Sequence, residues 1–273
     1  MSGWGRNLAQ IWTNNVAPSR PSAKEMCVYT DLLRTIQHKK NEKVKLLVLG
    51  STPEFRDWGF EQNLDITVVD KSVNYYNEIS REIRHKTLTE RLVVSNWEDM
   101  QFSETFDLII GDLAIGNVAY DRFDDFLDCV ANALSPGGLF MGKSFFWDDN
   151  MVAKTPEEIV ADFQKNSYLH PYTFMNHQLG LYCLDRNLCA IDFSKMYSEL
   201  ERLSSLGILS NEIFSIFQNV GWNTEMKFTF FAPKKTKFIE DVNKRLVFNQ
   251  FIYTDEVYTD VFPIFVISKE DIV

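Results

Sequence analysis

Polar residues follow four apolar, β-rich runs in the first half of the chain, at the point where each run ends. The first run leads into Gly50, the second ends at Asp70, and the next two are followed by Asn96 and Asp112. Carboxylate, amide and hydroxyl groups bind nucleotide-like cofactors when they meet at the carboxyl edge of a parallel sheet. Each of these residues alone is commonly a helix cap. Four in order along the chain indicate a ligand site.

The acidic residue of the second run has the spacing of a ribose ligand. Asp70 ends the run Ile-Thr-Val-Val-Asp, twenty residues after Gly50. At about this offset in nucleotide-binding folds, a carboxylate accepts hydrogen bonds from ribose hydroxyls. A helix cap is the alternative role for Asp70.

The turn after the first run favours a cofactor without phosphates. A dinucleotide needs several glycines, so that backbone amides can approach its pyrophosphate. Here only Gly50 is present, while Pro53 removes an amide donor and Glu54 adds negative charge. S-adenosylmethionine carries a ribose, an adenine, a sulfonium and an ammonium but no phosphate. It therefore suits this acidic turn better, although Thr52 and Pro53 also form a good helix start.

The elements that would position these residues alternate between strands and helices. Strands are predicted over residues 44–49, 66–69, 91–94, 108–110 and 139–146, and an amphipathic helix over 123–134 that ends at the Ser-Pro-Gly-Gly sequence 135–138. A capping box at Ser22 and Glu25 predicts a helix from there to about residue 36. This alternation is typical of a parallel sheet with crossover helices.

The second half of the chain has a different pattern. A capping box at Thr155 and Glu158 starts a helix, an aromatic segment without clear periodicity covers 168–193, and helices are predicted near 194–205 and 210–219. Strands are predicted over 227–231, 248–253 and 263–268. We interpret these tail strands as completing the main sheet and the middle part as an insertion over its edge. The predicted division is therefore 1–41 for an arm and helix covering the cofactor site, 42–150 for the cofactor-binding core, 151–225 for a mostly helical acceptor lid and 226–273 for the C-terminal strands.

Five segments together resemble a known family. They are LLVLGSTPE at 46–54, ITVVD at 66–70, the Asn-Trp of VVSNWEDM, FDLIIGD at 106–112 and LSPGGLFMGKSFF at 134–146. Over roughly residues 20–145 and again in the tail, the chain resembles a class I S-adenosylmethionine-dependent methyltransferase. Its turn is similar to that of a largely uncharacterised subgroup with an LGxTPE motif. The resemblance implies an α/β, Rossmann-like methyltransferase fold: a mainly parallel seven-stranded sheet with an antiparallel C-terminal edge and a helical insertion.

The resemblance also implies roles around S-adenosylmethionine. Gly50 and Ser51 would pass close to the methionyl part, and Asp70 would hold the ribose. Asn96 and Trp97 would flank the adenine, and Asp112 and Ala114 would border the methionyl end and the methyl donor. Arg20 would pair with the cofactor carboxylate, or be a surface residue of a proline-rich turn. Glu54 would face either the cofactor ammonium or the helix terminus. The same predicted site includes the neighbouring residues Thr52, Lys71 and Leu113.

Methyl transfer from a sulfonium needs a general base only when the acceptor atom carries a proton. Candidates are His170, His177 and Tyr182, in the aromatic segment after the predicted core. A histidine in such a segment is more commonly a packing or surface residue. Because insertions near the active-site end commonly form the substrate pocket, the same segment is expected to contact the acceptor.

The composition of the chain limits the kinds of partner and the cellular location that we expect. The formal net charge of −10 disfavours nucleic acid as the main partner, and four cysteines without a CxxC pair predict no metal site. No signal-peptide pattern or membrane-length apolar run is present, so we expect a cytoplasmic protein.

We therefore predict a methyltransferase that acts on an O, N or C atom of a small-molecule or peptide-like acceptor. The alternatives are a methyltransferase-like protein that binds the cofactor or a partner without catalysis, and a nicotinamide-dependent oxidoreductase. The sequence does not specify the acceptor or the oligomeric state.

Overall fold

A computed structural model describes residues 8–38, 42–85, 87, 89–223 and 229–269. The helices are α1 Leu8–Asn14, α2 Ala23–Gln37, α3 Pro53–Glu61, α4 Val73–Ile79, α5 Phe123–Ala133, α6 Pro156–Lys165, α7 Pro171–Cys183, α8 Phe193–Ser205, α9 Asn211–Asn219 and α10 Lys235–Val242. The strands are β1 Lys45–Leu49, β2 Asp65–Asp70, β3 Arg91–Val94, β4 Phe106–Asp112, β5 Leu134–Lys143, β6 Leu184–Asp185, β7 Ala190–Asp192, β8 Thr229–Phe231, β9 Val247–Ile252 and β10 Ile264–Ser268.

The main sheet has seven strands in the order β3-β2-β1-β4-β5-β10-β9. Strands β1 to β5 pair in parallel, whereas β10 pairs antiparallel with both β5 and β9. The strand order reverses between β1 and β4, which is where open α/β sheets bind ligands. The predicted Rossmann-like methyltransferase fold, with its antiparallel C-terminal edge, is confirmed.

Alternating side chains of β1 pack against both faces of the sheet. Leu47 and Leu49 belong to a core that includes residues of α5 and α10, while Leu46 and Val48 belong to a second core formed with α2 and α3. Because helices cover both faces, the strand is apolar along its length, as the sequence suggested.

The aromatic segment without clear periodicity contains helix α7 and two short strands. Its helix carries apolar side chains on more than one face, because α7 is covered by α6, α8 and α9 in a third core. A helix that is buried on several sides loses the amphipathic pattern from which helices are predicted.

One tail strand lies elsewhere than predicted. Strand β8 pairs antiparallel with β7, which pairs with β6, in a separate three-stranded sheet. The prediction that the 227–231 strand completes the main sheet is wrong for residues 229–231, and residues 227–228 lie outside the described residues. Within the described ranges, the antiparallel edge of the main sheet consists of β9 and β10.

The Ser-Pro-Gly-Gly sequence also differs from the prediction. Strand β5 begins at Leu134, directly after α5, and its pairing with β4 shifts register between Phe106 and Leu108. The sequence at 135–138 forms this irregularity inside the strand, where Gly137 has a φ of +69°. Ser135 Oγ donates a hydrogen bond to Asp107 Oδ1 at 3.0 Å, which ties the irregular part to β4.

Candidate functional site

A cavity of about 240 Å³ lies at the carboxyl ends of the first four strands. Residues from all four strand ends line it, together with residues of the N-terminal arm and of the segment from α7 to β8. The lining residues are Ile11, Trp12, Asn15, Ser19, Leu49, Gly50, Ser51, Thr52, Asp70, Lys71, Tyr75, Ser95, Asn96, Trp97, Glu98, Asp112, Leu113, Asn117, Tyr172, Phe193, Val220, Trp222 and Phe230. The predicted strand-end residues thus meet at one cavity, with the exception of Ala114.

The glycine of the first turn is required by the local backbone. Gly50 has a φ of +83°, and a Cβ at this position would lie 3.3 Å from Cζ2 of Trp97. Trp97 is held in place because its Nε1 donates a hydrogen bond to the carbonyl oxygen of Val69 at 3.0 Å. Gly50 and Trp97 therefore form a tight wall between the first and third strand ends.

Asp70 is both a cavity residue and a structural hydrogen-bond acceptor. Its Oδ2 accepts a hydrogen bond from Ser51 Oγ at 2.6 Å, and its Oδ1 accepts one from the amide of Ser72 at 2.9 Å. Burial raises the pKa of the Asp70 carboxyl. The carboxylate thus links the first two strand ends while it lines the cavity.

Asp112 belongs to a buried charged group beside the cavity. Its Oδ1 lies 3.4 Å from Nζ of Lys143, and this oxygen has no hydrogen-bond partner among the described residues. Burial raises the pKa of Asp112 to about 7, and the neighbouring Glu25 and Glu54 act in the same direction. Asp112 therefore holds a proton more readily than an exposed aspartate does.

Sequence reasoning missed Lys143 and Glu25 as members of this group. Lys143 is completely buried at the end of β5 and donates a hydrogen bond to Glu25 Oε2 at 2.9 Å. A lysine inside the apolar run of β5 was the available signal, since buried lysines are rare unless they are paired. The pairing with Glu25 could not be inferred from the sequence, because Glu25 is 118 residues away and the capping box already explains a glutamate at that position.

The backbone after Asp112 is strained. Leu113 has a φ of +54°, a conformation that is uncommon for a bulky residue. The amide of Leu113 donates to the carbonyl oxygen of Lys143 at 2.8 Å, and Asn117 Nδ2 donates to the carbonyl oxygen of Leu113 at 2.9 Å. These two bonds hold a sharp turn at the cavity wall.

Arg20 and Glu54 pair with each other. Arg20 Nε donates a hydrogen bond to Glu54 Oε1 at 2.7 Å, and the guanidinium lies 5.6 Å from the centroid of the Trp12 ring. Neither Arg20 nor Glu54 is among the cavity-lining residues. Arg20 thus forms an internal salt bridge with the first turn of α3, and its pairing with a cofactor carboxylate stays a prediction.

The far end of the cavity is aromatic. It is lined by Tyr172 of α7, Phe193 at the start of α8, Trp222 after α9 and Phe230 of β8. The ring centroids of Phe193 and Trp222 lie 5.0 Å apart, and those of Tyr172 and Trp222 lie 5.9 Å apart. These residues come from four distant segments, so no local spacing in the sequence joins them.

The hydroxyl of Tyr172 also contacts the segment that follows the N-terminal helix. Its hydroxyl oxygen lies 2.9 Å from Ser19 Oγ, which in turn accepts a hydrogen bond from Asn176 Nδ2 at 3.2 Å. Burial raises the pKa of Tyr172 to about 12. Tyr172 therefore stays protonated at neutral pH and serves as a hydrogen-bonding group.

The structure does not bring the three predicted general bases to the cavity. His177 is buried inside the insertion, where its Nδ1 lies 3.2 Å from the carbonyl oxygen of Thr173 and its Nε2 lies 2.7 Å from Gln178 Nε2. Burial lowers its pKa. His170 is exposed ahead of α7, and Tyr182 packs against the core of the insertion. None of the three lines the cavity, because α7 directs Tyr172 toward it instead.

Two further observations concern the described ranges as a whole. Within them, no group of three or more His, Cys, Asp and Glu side chains is arranged to hold a metal ion. No helix in the same ranges has the length and apolar character needed to cross a membrane.

Comparisons with known proteins give structural neighbours only. No family model and no curated protein matches the sequence. An S-adenosylmethionine-dependent methyltransferase from Clostridium acetobutylicum has a TM-score of 0.54 at 12% identity, over 91% of this chain and 93% of that chain. N-methyltransferase NodS from Bradyrhizobium japonicum, solved with S-adenosylhomocysteine, has a TM-score of 0.51 at 11% identity, over 95% and 94%.

A protein of another class is also similar. It comes from Rhodobacter sphaeroides, is provisionally described as a zinc-dependent alcohol dehydrogenase, and has a TM-score of 0.56 at 12% identity, over 96% of this chain and 97% of that chain. At such identities the similarity establishes the fold alone. The chain thus has a fold that it shares with class I S-adenosylmethionine-dependent methyltransferases, and its activity must be argued from the site.

Proposed function

We propose that this protein is an S-adenosylmethionine-dependent methyltransferase that transfers a methyl group to an O, N or C atom of a small-molecule or peptide-like acceptor. The observation that carries the proposal is the strand-end cavity, where Asp70 and an acidic turn with a single glycine meet at the switch point of the sheet. The LGxTPE segment at 49–54 supports assignment to the subgroup named for that motif.

The residues present fit this cofactor. Asp70 would bind the ribose hydroxyls, and Asn96 and Trp97 would border the adenine. Gly50, Ser51, Thr52 and Leu113 would contact the methionyl end, with Lys71 beside the ribose. Asp112 Oδ1, a buried oxygen without a hydrogen-bond partner among the residues described, is suited to a cationic group such as the ammonium or sulfonium.

The same turn disfavours a dinucleotide. Pro53 is the first residue of α3 and has no amide hydrogen, and Glu54 adds a carboxylate to the first helical turn. A helix N-terminus that binds a pyrophosphate offers free amides and no nearby negative charge. Glu54 is neutralised in part by Arg20, but the missing amide cannot be replaced.

The chain's own residues would contribute positioning, exclusion of water and, for some acceptors, proton removal. The bound cofactor supplies an activated methyl group, so alignment and desolvation provide much of the rate. Trp12 of the arm and Trp222 of the insertion both line the cavity and would limit the access of water. For an acceptor that carries a proton, Asp112 is the candidate base, because it lines the cavity and its Oδ1 has no hydrogen-bond partner among the described residues.

The aromatic end of the cavity indicates the kind of acceptor. Its walls are the rings of Tyr172, Phe193, Trp222 and Phe230, and its hydrogen-bonding groups include the hydroxyl of Tyr172 and the amide of Asn117. Rings and neutral polar groups favour a flat, largely apolar part of the acceptor. We accordingly propose residues 151–225 as the acceptor lid.

The test is incubation of the protein with S-adenosylmethionine carrying a labelled methyl group and a cell extract that has been separated by size. We expect label in the small-molecule or peptide fraction, and far less with the Asp70→Ala variant. Binding of S-adenosylhomocysteine without any transfer of label would instead favour a non-catalytic, methyltransferase-like protein.

A further inference from the structure

A buried lysine bridges two carboxylates behind the cavity. Lys143 Nζ donates hydrogen bonds to Glu25 Oε2 at 2.9 Å and to the carbonyl oxygen of Arg20 at 3.1 Å, and lies 3.4 Å from Asp112 Oδ1. The side chains of Lys143, Glu25 and Asp112 are 0%, 1% and 3% exposed. The ammonium of Lys143 thus forms ion pairs with two carboxylates that are almost inaccessible to solvent.

The carboxylates of Glu25 and Asp112 differ in the hydrogen bonds that they accept. Glu25 Oε2 accepts hydrogen bonds from Lys143 and from the amide of Ser22, and Glu25 Oε1 accepts one from the hydroxyl of Tyr258 at 3.1 Å. Asp112 Oδ1 has only the longer ion pair with Lys143. Asp112 is therefore the member of the pair that holds a proton most readily.

The charges around Asp112 do not balance. Glu25 and Tyr29 face it from α2, Glu54 from α3 and Lys143 from β5. Arg20 neutralises Glu54, and Tyr29 stays uncharged because burial raises its pKa. With every acid ionised, the two cations Lys143 and Arg20 face three carboxylates. A buried excess of negative charge is costly, so either a proton or a cationic ligand must balance it.

We propose that the Glu25–Lys143–Asp112 cluster holds a proton on Asp112 in the free protein and releases it when S-adenosylmethionine binds, with Lys143 as the positioning residue that sets this exchange. This inference rests on the proposed function. The released proton leaves Asp112 as a carboxylate, whose negative charge then faces the sulfonium of the cofactor. The cluster would in this way favour the charged sulfonium of the substrate over the neutral sulfide of the product.

Calorimetry of the intact protein in buffers of different ionisation enthalpy measures the released protons directly. For S-adenosylmethionine we expect release of about half a proton near pH 7, more at lower pH and close to none near pH 9, as for a single group that is half protonated at neutrality. For S-adenosylhomocysteine we expect a smaller release, since its sulfur is uncharged. Binding of S-adenosylmethionine without proton release from pH 6 to pH 8 would overturn the inference.

Two substitutions should move the proton release in opposite directions. Glu25→Gln keeps the capping hydrogen bonds but removes one of the two carboxylates next to Lys143. The charged form of Asp112 is then favoured, so the proton release should shift to lower pH. Lys143→Met removes the cation, so the release should shift to higher pH. Glu104→Gln, at a solvent-accessible ion pair with Lys45 and Arg91, is the matched control and should change nothing.

The variants also separate this inference from the proposed function. If Lys143→Met does not fold, Glu25→Gln alone decides, because an unchanged pH profile of proton release in a folded Glu25→Gln protein would contradict the role of the cluster. A failure of the wild-type protein to bind S-adenosylmethionine at any pH would instead refute the proposed function, and the inference with it.

Discussion

At the scale of single residues, Asp70 and Asp112 end the strands on either side of β1, and their surroundings act differently on two buried carboxyls. Asp70 accepts two hydrogen bonds from Ser51 and Ser72, which favour its charged form against burial. Burial favours the neutral form of Asp112, the neighbouring Glu25 and Glu54 act in the same direction, and Lys143 opposes them. Position in the sequence pointed to both aspartates, but their environments depend on partners that are distant in the chain.

We expect Asp70→Ala to weaken binding of S-adenosylhomocysteine strongly. Loss of a charged acceptor costs about 1.5–3 kcal/mol, or roughly 10- to 150-fold in the dissociation constant. Calorimetry provides the measurement, and Asp65→Ala is the matched control because Asp65 is exposed at the opposite end of the same strand. Unchanged affinity in the Asp70 variant would remove this residue from the site.

Replacement of Asp112 by Asn should make stability less dependent on pH. Burial raises the pKa of this carboxyl from 3.8 to about 7 in the folded protein. Between those values the folded state binds more protons than the unfolded state, so the wild-type protein loses stability as the pH rises. Asn cannot ionise, so Asp112→Asn should raise the melting temperature relative to wild type at about pH 8, by roughly 2–4 °C for each kcal/mol gained, and lose this advantage near pH 4. An equal effect at both pH values would contradict the buried, raised-pKa carboxyl.

At the scale of elements, the acceptor end depends on contacts between a short turn and the three-stranded sheet. The 3₁₀ turn Ile115–Asn117 follows β4, and a Cβ at Gly116 would lie 1.8 Å from Cζ of Phe230. The ring of Phe230 therefore rests directly on the backbone of this turn. The absence of a side chain at position 116 fixes one wall of the cavity.

We expect Gly116→Ala to displace Phe230 and reshape the acceptor end. Overpacking of this kind typically costs about 1–3 kcal/mol of stability. Methyl transfer to the acceptor should fall, while affinity for S-adenosylhomocysteine should change less than twofold, as judged by a labelled-methyl assay and calorimetry on one preparation. Gly207→Ala has open space around it but is strained by a φ of +69°, so it controls for a loss of stability that leaves the cavity wall unchanged. Unchanged transfer would show that this wall does not contact the acceptor.

The elements also show what the sequence could predict. The runs at β1 to β4 and the capping boxes of α2 and α6 carry local signals, and the structure places these elements within a few residues of their predicted bounds. Strand β8 was assigned to the wrong sheet, because an alternating run identifies a strand but not its partner. Composition marks the aromatic segment, but only the packing of α7 brings Tyr172 and not His177 to the cavity. A role as base for His170, His177 or Tyr182 stays a prediction.

At the scale of the whole molecule, the fold explains why distant residues form one site. The strand order reverses between β1 and β4, so the turns after these strands diverge and open a crevice. The N-terminal arm and the insertion close that crevice from two sides with Trp12 and Trp222. The net charge of −10 is consistent with this use, because the acidic surroundings favour a cationic cofactor over phosphate-bearing ligands.

The most direct test of this account is calorimetric titration of the wild-type protein with S-adenosylhomocysteine and, separately, with NAD. The account predicts saturable binding of S-adenosylhomocysteine with a stoichiometry of about one per chain, and binding of NAD that is at least about 100-fold weaker, a difference of about 2.7 kcal/mol. Tight binding of NAD with no binding of S-adenosylhomocysteine would contradict the account and identify the site as one for a dinucleotide.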